Sequence, residues 1–246
     1  MLKEKITEDY TQIVSLNEAN AQFQRNNVCA PIFEPIKHKY QQFKGHKSEA
    51  DLGLGCDFPF QYITISKGQK VADLGCAAGI DSFILAEMVG KQGVVYGFDL
   101  TEALISRANA IKTKYTIENV HFQTADIAQI PLNSASVDVV TSNGVFSLLP
   151  DLELVFKEVY RILRPNGIFC LSDINKKTPF SEADYTKLKT FTGCLNGIRF
   201  LEVYTNHIKK AGFAHFEIVS ERPVTLPENI SKKQGVFITT FKIIKN

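Results

Sequence analysis

Two carboxylates, each at the end of an apolar run, are the most specific chemical signal in this chain. Val71-Ala72-Asp73-Leu74-Gly75-Cys76-Ala77-Ala78-Gly79-Ile80-Asp81 reads as a strand that ends in an acid and a Gly/Ala-rich turn, with an apolar-periodic stretch starting at Phe83. Small residues let backbone approach a ligand, and the N–H groups of a following helix start attract anionic groups. Further on, Val94-Val95-Tyr96-Gly97-Phe98 ends in Asp99. At about twenty residues beyond such a turn, an adenosine-binding α/β sheet places the carboxylate that accepts the ribose hydroxyls. A dinucleotide site would need Gly-x-Gly-x-x-Gly. Here the turn reads Gly75-x-Ala77-x-Gly79, and the third glycine of that pattern falls on Ile80, which disfavours hydride chemistry. A turn of small residues also serves plain strand–helix packing. Asp99 is what separates the ligand reading from that one.

The elements that must position these groups follow from periodicity. Strands are expected near 70–74, 93–98, 119–124, 136–142 and 167–173, and helices near 81–90, 102–115 and 151–164. Asp151 could cap the last helix, and Pro165-Asn166-Gly167 would end it. Strands alternating with helices give a parallel sheet covered on both faces. Asp73, Asp99, Asp126 and Asn143 then fall at or just past carboxyl ends of strands, where open parallel sheets bind ligands. Beyond 173 helices are expected over 182–192 and 200–211, with Gly212 as a C-cap, then strands over 216–219 and 236–241. Residues 1–45 read as mainly helical, interrupted near Asn26-Asn27 and Pro31, and carry Tyr10, Phe23, Phe33, Tyr40 and Phe43 without strand alternation. Such a segment is a lid over a site or a packing extension. Residues 50–68, with Gly53, Gly55 and Pro59, suggest a loop with a short helix. One domain over 1–246 is expected: a helical extension or lid (1–50), a nucleotide-binding core (51–180) and substrate-side helices with the final two strands (181–246).

Composition narrows the classes. With 28 Lys+Arg against 26 Asp+Glu the net charge is +2, which gives no electrostatic case for nucleic acid. Lys209-Lys210 and Lys232-Lys233 read as solvated faces. Neither an apolar leader nor a run long enough to span a bilayer is present, so a cytoplasmic protein without membrane contact is expected. Five cysteines without a short-spaced pair argue against a disulfide framework and against a zinc or other metal site. His46 is the only histidine near the turn. His207 and His215 lie far down the chain and read as surface or structural.

The motif series resembles class I S-adenosylmethionine-dependent methyltransferases over roughly residues 50–175. Asp73-Leu74-Gly75-Cys76-Ala77-Ala78-Gly79 is similar to the first motif, with Ala77 where the family often has glycine. Gly97-Phe98-Asp99-Leu100-Thr101 is similar to the ribose motif and Thr124-Ala125-Asp126-Ile127 to the adenine-holding segment. Ser136-Val137-Asp138-Val139-Val140-Thr141-Ser142-Asn143 is similar to the fourth strand, and Arg161-Ile162-Leu163-Arg164-Pro165-Asn166-Gly167-Ile168 to the turn before the fifth. The resemblance implies a Rossmann-like sheet of seven strands, mostly parallel with an antiparallel last strand. It implies S-adenosylmethionine as cofactor and S-adenosylhomocysteine as product. It implies cofactor contacts at Asp73, Gly75, Ala77, Gly79, Asp99, Leu100, Thr101, Asp126, Ile127, Ser142 and Asn143.

A closer resemblance is to arsenite methyltransferases. Glu49-Ala50-Asp51-Leu52-Gly53-Leu54-Gly55-Cys56 is similar to their segment ahead of the first motif, where a cysteine follows Gly-Leu-Gly. Cys194, in Thr192-Gly193-Cys194-Leu195-Asn196-Gly197, matches the third family cysteine. The second falls on Gly144. Trivalent arsenic is soft and is held by thiolates, so two cysteines hold it less completely than three, while Gly144 opens room for a bulkier acceptor. The acceptor side is thus expected at Asn143, Cys56 and Cys194, with a small organic metabolite favoured and an arsenical as the alternative. Cys29, Cys76 and Cys170 read as packing residues. A non-catalytic S-adenosylmethionine-binding module is the reading from another class.

Overall fold

Valine-rich runs form the centre of the sheet because both of its faces are covered. β1 (Lys70–Leu74) and β4 (Val137–Asn143) are buried almost throughout and pair in parallel, Val71 opposite Val139. The structure is a computed structural model that describes residues 2–15, 36, 39–188, 195, 197–226 and 235–246. Around that pair lie β2 (Val94–Asp99), β3 (Val120–Thr124), β5 (Leu163–Lys176), β7 (His215–Pro223) and β8 (Val236–Ile244), in the order β3-β2-β1-β4-β5-β8-β7. β1 to β5 run parallel, and β8 runs antiparallel to both β5 and β7. The seven-strand path with its antiparallel last strand is therefore the expected one. A two-residue strand, β6 (Arg199–Phe200), pairs with the end of β5 and was not expected. It is too short to leave a period in the sequence.

The chain leaves β1 in one direction through β2 and β3 and returns to β4 on the other side of β1. That reversal opens a crevice at the carboxyl ends of β1 and β4, the position where doubly wound sheets bind ligands.

Six α-helices are described: α1 (Leu2–Ser15), α2 (Ile80–Val89), α3 (Glu102–Lys114), α4 (Leu152–Ile162), α5 (Glu182–Leu188) and α6 (Leu201–Lys210). Asp151 caps α4 as expected, accepting from the N–H groups of Glu153 and Leu154 at 2.9 and 3.2 Å. Phe146, Phe156, Phe169, Tyr204 and Phe241 form the core between the sheet, α4 and α6, and Phe83, Ile84 and Leu104 belong to the core on the other face. Extended pairing resumes at Leu163, ahead of Pro165-Asn166-Gly167, with a register irregularity between Val137 and Val139. The Lys245 ammonium, which donates to the carbonyls of Tyr160 and Leu163, holds this junction. The final strands outrun the expected 216–219 and 236–241 because they pair with each other along their length. The helix expected over 182–192 is seen as Glu182–Leu188, and 189–192 lie outside the described residues, as do Asn26, Asn27, Pro31, Phe23 and Phe33. Among the described residues no helix is long and apolar enough to cross a membrane.

Candidate functional site

The turn after β1 is held to β2 by backbone: Gly75 N–H and Cys76 N–H both donate to the Phe98 carbonyl, at 2.7 and 3.0 Å. Gly75 has φ +74, and a Cβ there would stand 2.3 Å from Val145 Cγ2, so only glycine fits this cradle. Ala77 takes φ +47, a left-handed conformation that favours glycine. Its N–H donates to Asp99 Oδ2 at 2.9 Å, while Asp99 Oδ1 accepts from Thr101 N–H at 2.9 Å. Burial raises the Asp99 carboxyl above its ordinary range, and these N–H groups oppose the rise.

Asp99, Leu100, Thr101, Asp126, Gly75, Ala77, Asn143 and Gly144 line one open cavity, together with Lys3, Ile6 and Tyr10 of α1. α1 packs on α3, which holds these three residues against the cavity. Asp126 accepts Ala128 N–H at 3.0 Å and forms an ion pair with Lys3. Burial works against its ionisation, but Lys3 and the Ala128 N–H outweigh that and hold the carboxyl below its usual range.

A second, smaller cavity shares Leu54, Gly75, Ala77 and Asn143 with the first and adds Tyr40, Asp51, Gly55, Asp73 and Asp81. Asp73 is buried and accepts the Ser82 hydroxyl at 2.5 Å and the Thr141 hydroxyl at 3.3 Å. Asp81 Oδ2 accepts Asn143 Nδ2 at 2.9 Å. Burial, with the Asp81 charge adding to it, pushes Asp73 up to about 7, and burial pushes Asp81 to about 6.

These two carboxyls set a pH dependence. Both hold protons in the folded protein that the unfolded chain would release, so the protein without ligand loses stability as pH rises from the ordinary carboxylate range, about 4, toward neutrality. A cationic ligand favours their ionised forms. Its affinity should therefore rise from pH 5 to about 8 with net proton release below neutrality, read by titration calorimetry in two buffers of different ionisation enthalpy. The groups facing the pair are Tyr40, Asp51, Asp57, Ser82, Asp99, Thr141 and Asn143.

Asn143 is the hub. Its Oδ1 accepts from the N–H groups of Cys56 and Asp57 at 2.9 and 3.2 Å and from the Cys56 thiol at 3.2 Å. Its two Nδ2 hydrogens are shared among Asp57 O at 2.7 Å, Asp81 Oδ2 at 2.9 Å and the Tyr40 hydroxyl at 3.1 Å. Asp57 in turn accepts from Thr240 Oγ1 at 2.9 Å, and Arg222 donates to the Cys56 carbonyl at 2.9 Å.

Several residues named from the sequence stand off these cavities. Ser142 is fully buried and donates to the Leu74 carbonyl at 2.8 Å, tying β4 to β1. Ile127 packs in the core with Phe98 and Ile130. Gly79 starts α2, where a Cβ would stand 2.6 Å from Phe122 Cζ. Cys56 is fully buried, its thiol also reaching the Ser172 carbonyl at 3.5 Å. Burial, then the Asp173 and Asp57 charges, push that thiol well above its ordinary range, so it is neutral. Cys76 and Cys170 are buried, Cys170 donating to Pro59 O at 3.0 Å. Cys194 and Cys29 lie outside the described residues. His46 Nε2 stands 3.8 Å from Asp51 Oδ2, at the edge of the acidic cavity but not lining it. His207 stacks on Phe156. Lys3, Tyr40, Asp51 and Asp57 were given no role from sequence. Asp81 was given no role either, though its place at the end of the first motif was a signal that could have found it.

A family model described as "Methyltransferase domain" matches residues 65–235. An arsenite methyltransferase of Halobacterium salinarum is 38% identical over 169 residues, which is 69% of this chain and 43% of that protein. A demethylmenaquinone methyltransferase of Lactococcus lactis is 32% identical over 113 residues, 46% of this chain and 45% of that one. The chain thus spans about half the length of the curated relatives it matches. The fold is also that of the crystal structure of an arsenic(III) S-adenosylmethionine methyltransferase from Chlamydomonas reinhardtii, with TM-score 0.67 at 20% identity over 89% of this chain and 74% of that one. Since the matched segment runs from just before β1 to the threshold of β8, and so contains the strand ends at which the crevice opens, this chain belongs to the methyltransferase-domain family, whose donor is S-adenosylmethionine.

Proposed function

We propose that this protein transfers a methyl group from S-adenosylmethionine to a small organic acceptor. One observation carries the reading: the ribose-type carboxylate Asp99 and the buried acids Asp73 and Asp81 line two cavities that share a wall of Leu54, Gly75, Ala77 and Asn143. The residues present fit the donor. The Gly75 cradle is one that a Cβ would fill, and Asp81 Oδ1 is buried without a hydrogen-bond partner among the described residues.

When bound, the sulfonium supplies an activated methyl group, so the protein's task is alignment and exclusion of water. Asp99 would accept the ribose hydroxyls and Asp126 the adenine amino group, both as charge-assisted bonds. Ile6 and Tyr10 of α1 line the same cavity. Leu54, Val145, Leu148, Leu149 and Pro150 give it an apolar wall. A neutral amine acceptor needs no general base, because its lone pair takes the methyl and the product carries the positive charge; a phenol or quinol would also have to give up its proton.

Lys3 holds the carboxylate that the adenine amino group would use. The pair is 48% and 33% exposed, so breaking it costs at most about 1 kcal/mol. Lys3→Met should therefore tighten S-adenosylmethionine binding by about threefold at low salt, and the gain should fade as salt rises.

An organic acceptor is supported by the state of Cys56. A soft metalloid needs thiolate, and this thiol is neutral, buried and engaged as a donor. Gly144 has φ +74, so a cysteine there would need a left-handed backbone. An arsenical is the second reading, favoured by the Halobacterium relative and by position 144, where a Cβ would lie 3.7 Å from Cys56 Sγ. Assay with labelled donor separates the two. A quinol, phenol or amine acceptor should be methylated, and Cys56→Ser, which keeps a hydrogen-bond donor, should retain that activity within about threefold. Methylation of arsenite that Cys56→Ser abolishes would establish the arsenical reading instead. Donor binding without methyl transfer to any acceptor in cell extract would favour a non-catalytic module.

A further inference from the structure

We propose that Tyr40 is a positioning residue that, through Asp81, selects the ammonium end of the methyl donor. The stretch ahead of the family domain then completes the donor site. This rests on the donor reading above and adds to it a specificity role for a residue outside the 65–235 match.

The first observation is Asp81. Its side chain lines the smaller cavity, the residue is 4% exposed, and Oδ1 has no hydrogen-bond partner among the described residues. A buried carboxylate oxygen left without a partner is costly, and the deficit is removed by a donor that enters from the cavity. An ammonium carries three such donors and a compensating charge.

The second observation is the phenol that orients this carboxylate. Tyr40 sits on the 3-10 turn Lys39–Gln42 and is 2% exposed. Its ring is fixed edge-on against Phe58, centroids 4.8 Å apart. The hydroxyl accepts from Asn143 Nδ2 at 3.1 Å, and the same nitrogen donates to Asp81 Oδ2 at 2.9 Å, so phenol and carboxylate meet on one amide. Asn143 and Tyr40 together fix how the Asp81 carboxylate faces the cavity.

The third observation is the space reserved for that hydroxyl. A Cβ on Gly55 would stand 2.5 Å from the Tyr40 oxygen and 2.9 Å from Asn143 Nδ2. Glycine at position 55 is what lets the phenol reach the amide that holds the carboxylate. Tyr40, Gly55 and Asp81 therefore form one device spread over three segments. The two cavities share a wall, so a ligand with its adenosyl end at Asp99 and its amino-acid end at Asp81 would span both.

The test compares two ligands on the full chain by titration calorimetry. S-adenosylhomocysteine carries the ammonium, and methylthioadenosine has the same adenosyl sulfide without it. Tyr40→Phe keeps the ring and removes the hydroxyl. It should weaken S-adenosylhomocysteine by about tenfold, and Asp81→Asn by about a hundredfold, while methylthioadenosine stays within about twofold for both. Asp99→Asn should weaken both ligands. Should Tyr40→Phe fail to fold, Gly55→Ala displaces the hydroxyl from the other side and should produce the same selective loss. Equal weakening of both ligands by Tyr40→Phe or Gly55→Ala, or no weakening of either, overturns the inference while the donor reading stands. Failure of the unmodified protein to bind either ligand overturns the donor reading and the inference with it.

Discussion

Asp99→Ala should reduce S-adenosylmethionine binding by at least about a hundredfold, the largest single loss of affinity expected in this protein. A hydrogen bond to an ionised carboxylate contributes about 1.5–3 kcal/mol, and a ribose diol would make two of them. The same oxygens also accept the N–H groups of Ala77 and Thr101. Removing them leaves two backbone donors at the turn without a partner and loosens the cradle around Gly75. Asp99→Asn keeps one acceptor oxygen and should lose about tenfold. Calorimetry reads both. Affinity of Asp99→Ala within about threefold of the unmodified protein would mean that the adenosyl end does not sit at β2 at all.

Asn143→Ala should be the most damaging change to stability among the residues at the crevice. The amide connects β4 to Cys56, Asp57, Tyr40 and Asp81, and alanine would strand the Cys56 and Asp57 N–H groups and the Asp57 carbonyl. Each buried group left unmatched costs about 1–3 kcal/mol, so the sum is about 3 kcal/mol or more. In a chain of this size that lowers the melting temperature by about 6–12 °C. Asn143→Asp has the same shape but replaces the donor facing Asp81 with a second acid. Its deficit should shrink as pH falls, because protonation relieves the repulsion. Melting curves at pH 5 and 8 decide the matter: equal losses for Asn143→Asp at both would mean that the Asp81 contact contributes little.

Much of the architecture was legible because it follows from local pattern. Valine runs mark strands buried on both faces, Asp151 marks a helix start, and Gly212 ends α6 with Phe213 N–H returning to the Ile208 carbonyl. The acids at strand ends were legible because a doubly wound sheet gathers such ends at its switch point. What sequence left open has a common cause. Ser142 and Asn143 are neighbours on one strand, and neighbouring side chains leave opposite faces. One ties β1 to β4 while the other reaches the cavity, and no residue type announces which. Cys56 is placed on the acceptor side by its neighbours in sequence, which resemble a family. Its protonation depends on Asp57, Asp173 and burial, two of which are set by distant chain. Tyr40 lies in a stretch with no motif, and only the fold brings it to Asp81.

The bonds that fasten residues 56 and 57 have a temporal consequence. Thr240 of β8 and Arg222 of β7 both hold this early stretch in place, so its final anchorage waits for chain made more than 160 residues later. During vectorial synthesis the strands from β1 to β4 can associate while still tethered to the ribosome, since domains mature from the N-terminal side at roughly 5–20 residues per second. The wall that carries Gly55 and Asn143's partners can lock only once β7 and β8 have emerged. The acidic cavity is therefore finished later than the strands whose ends it stands on.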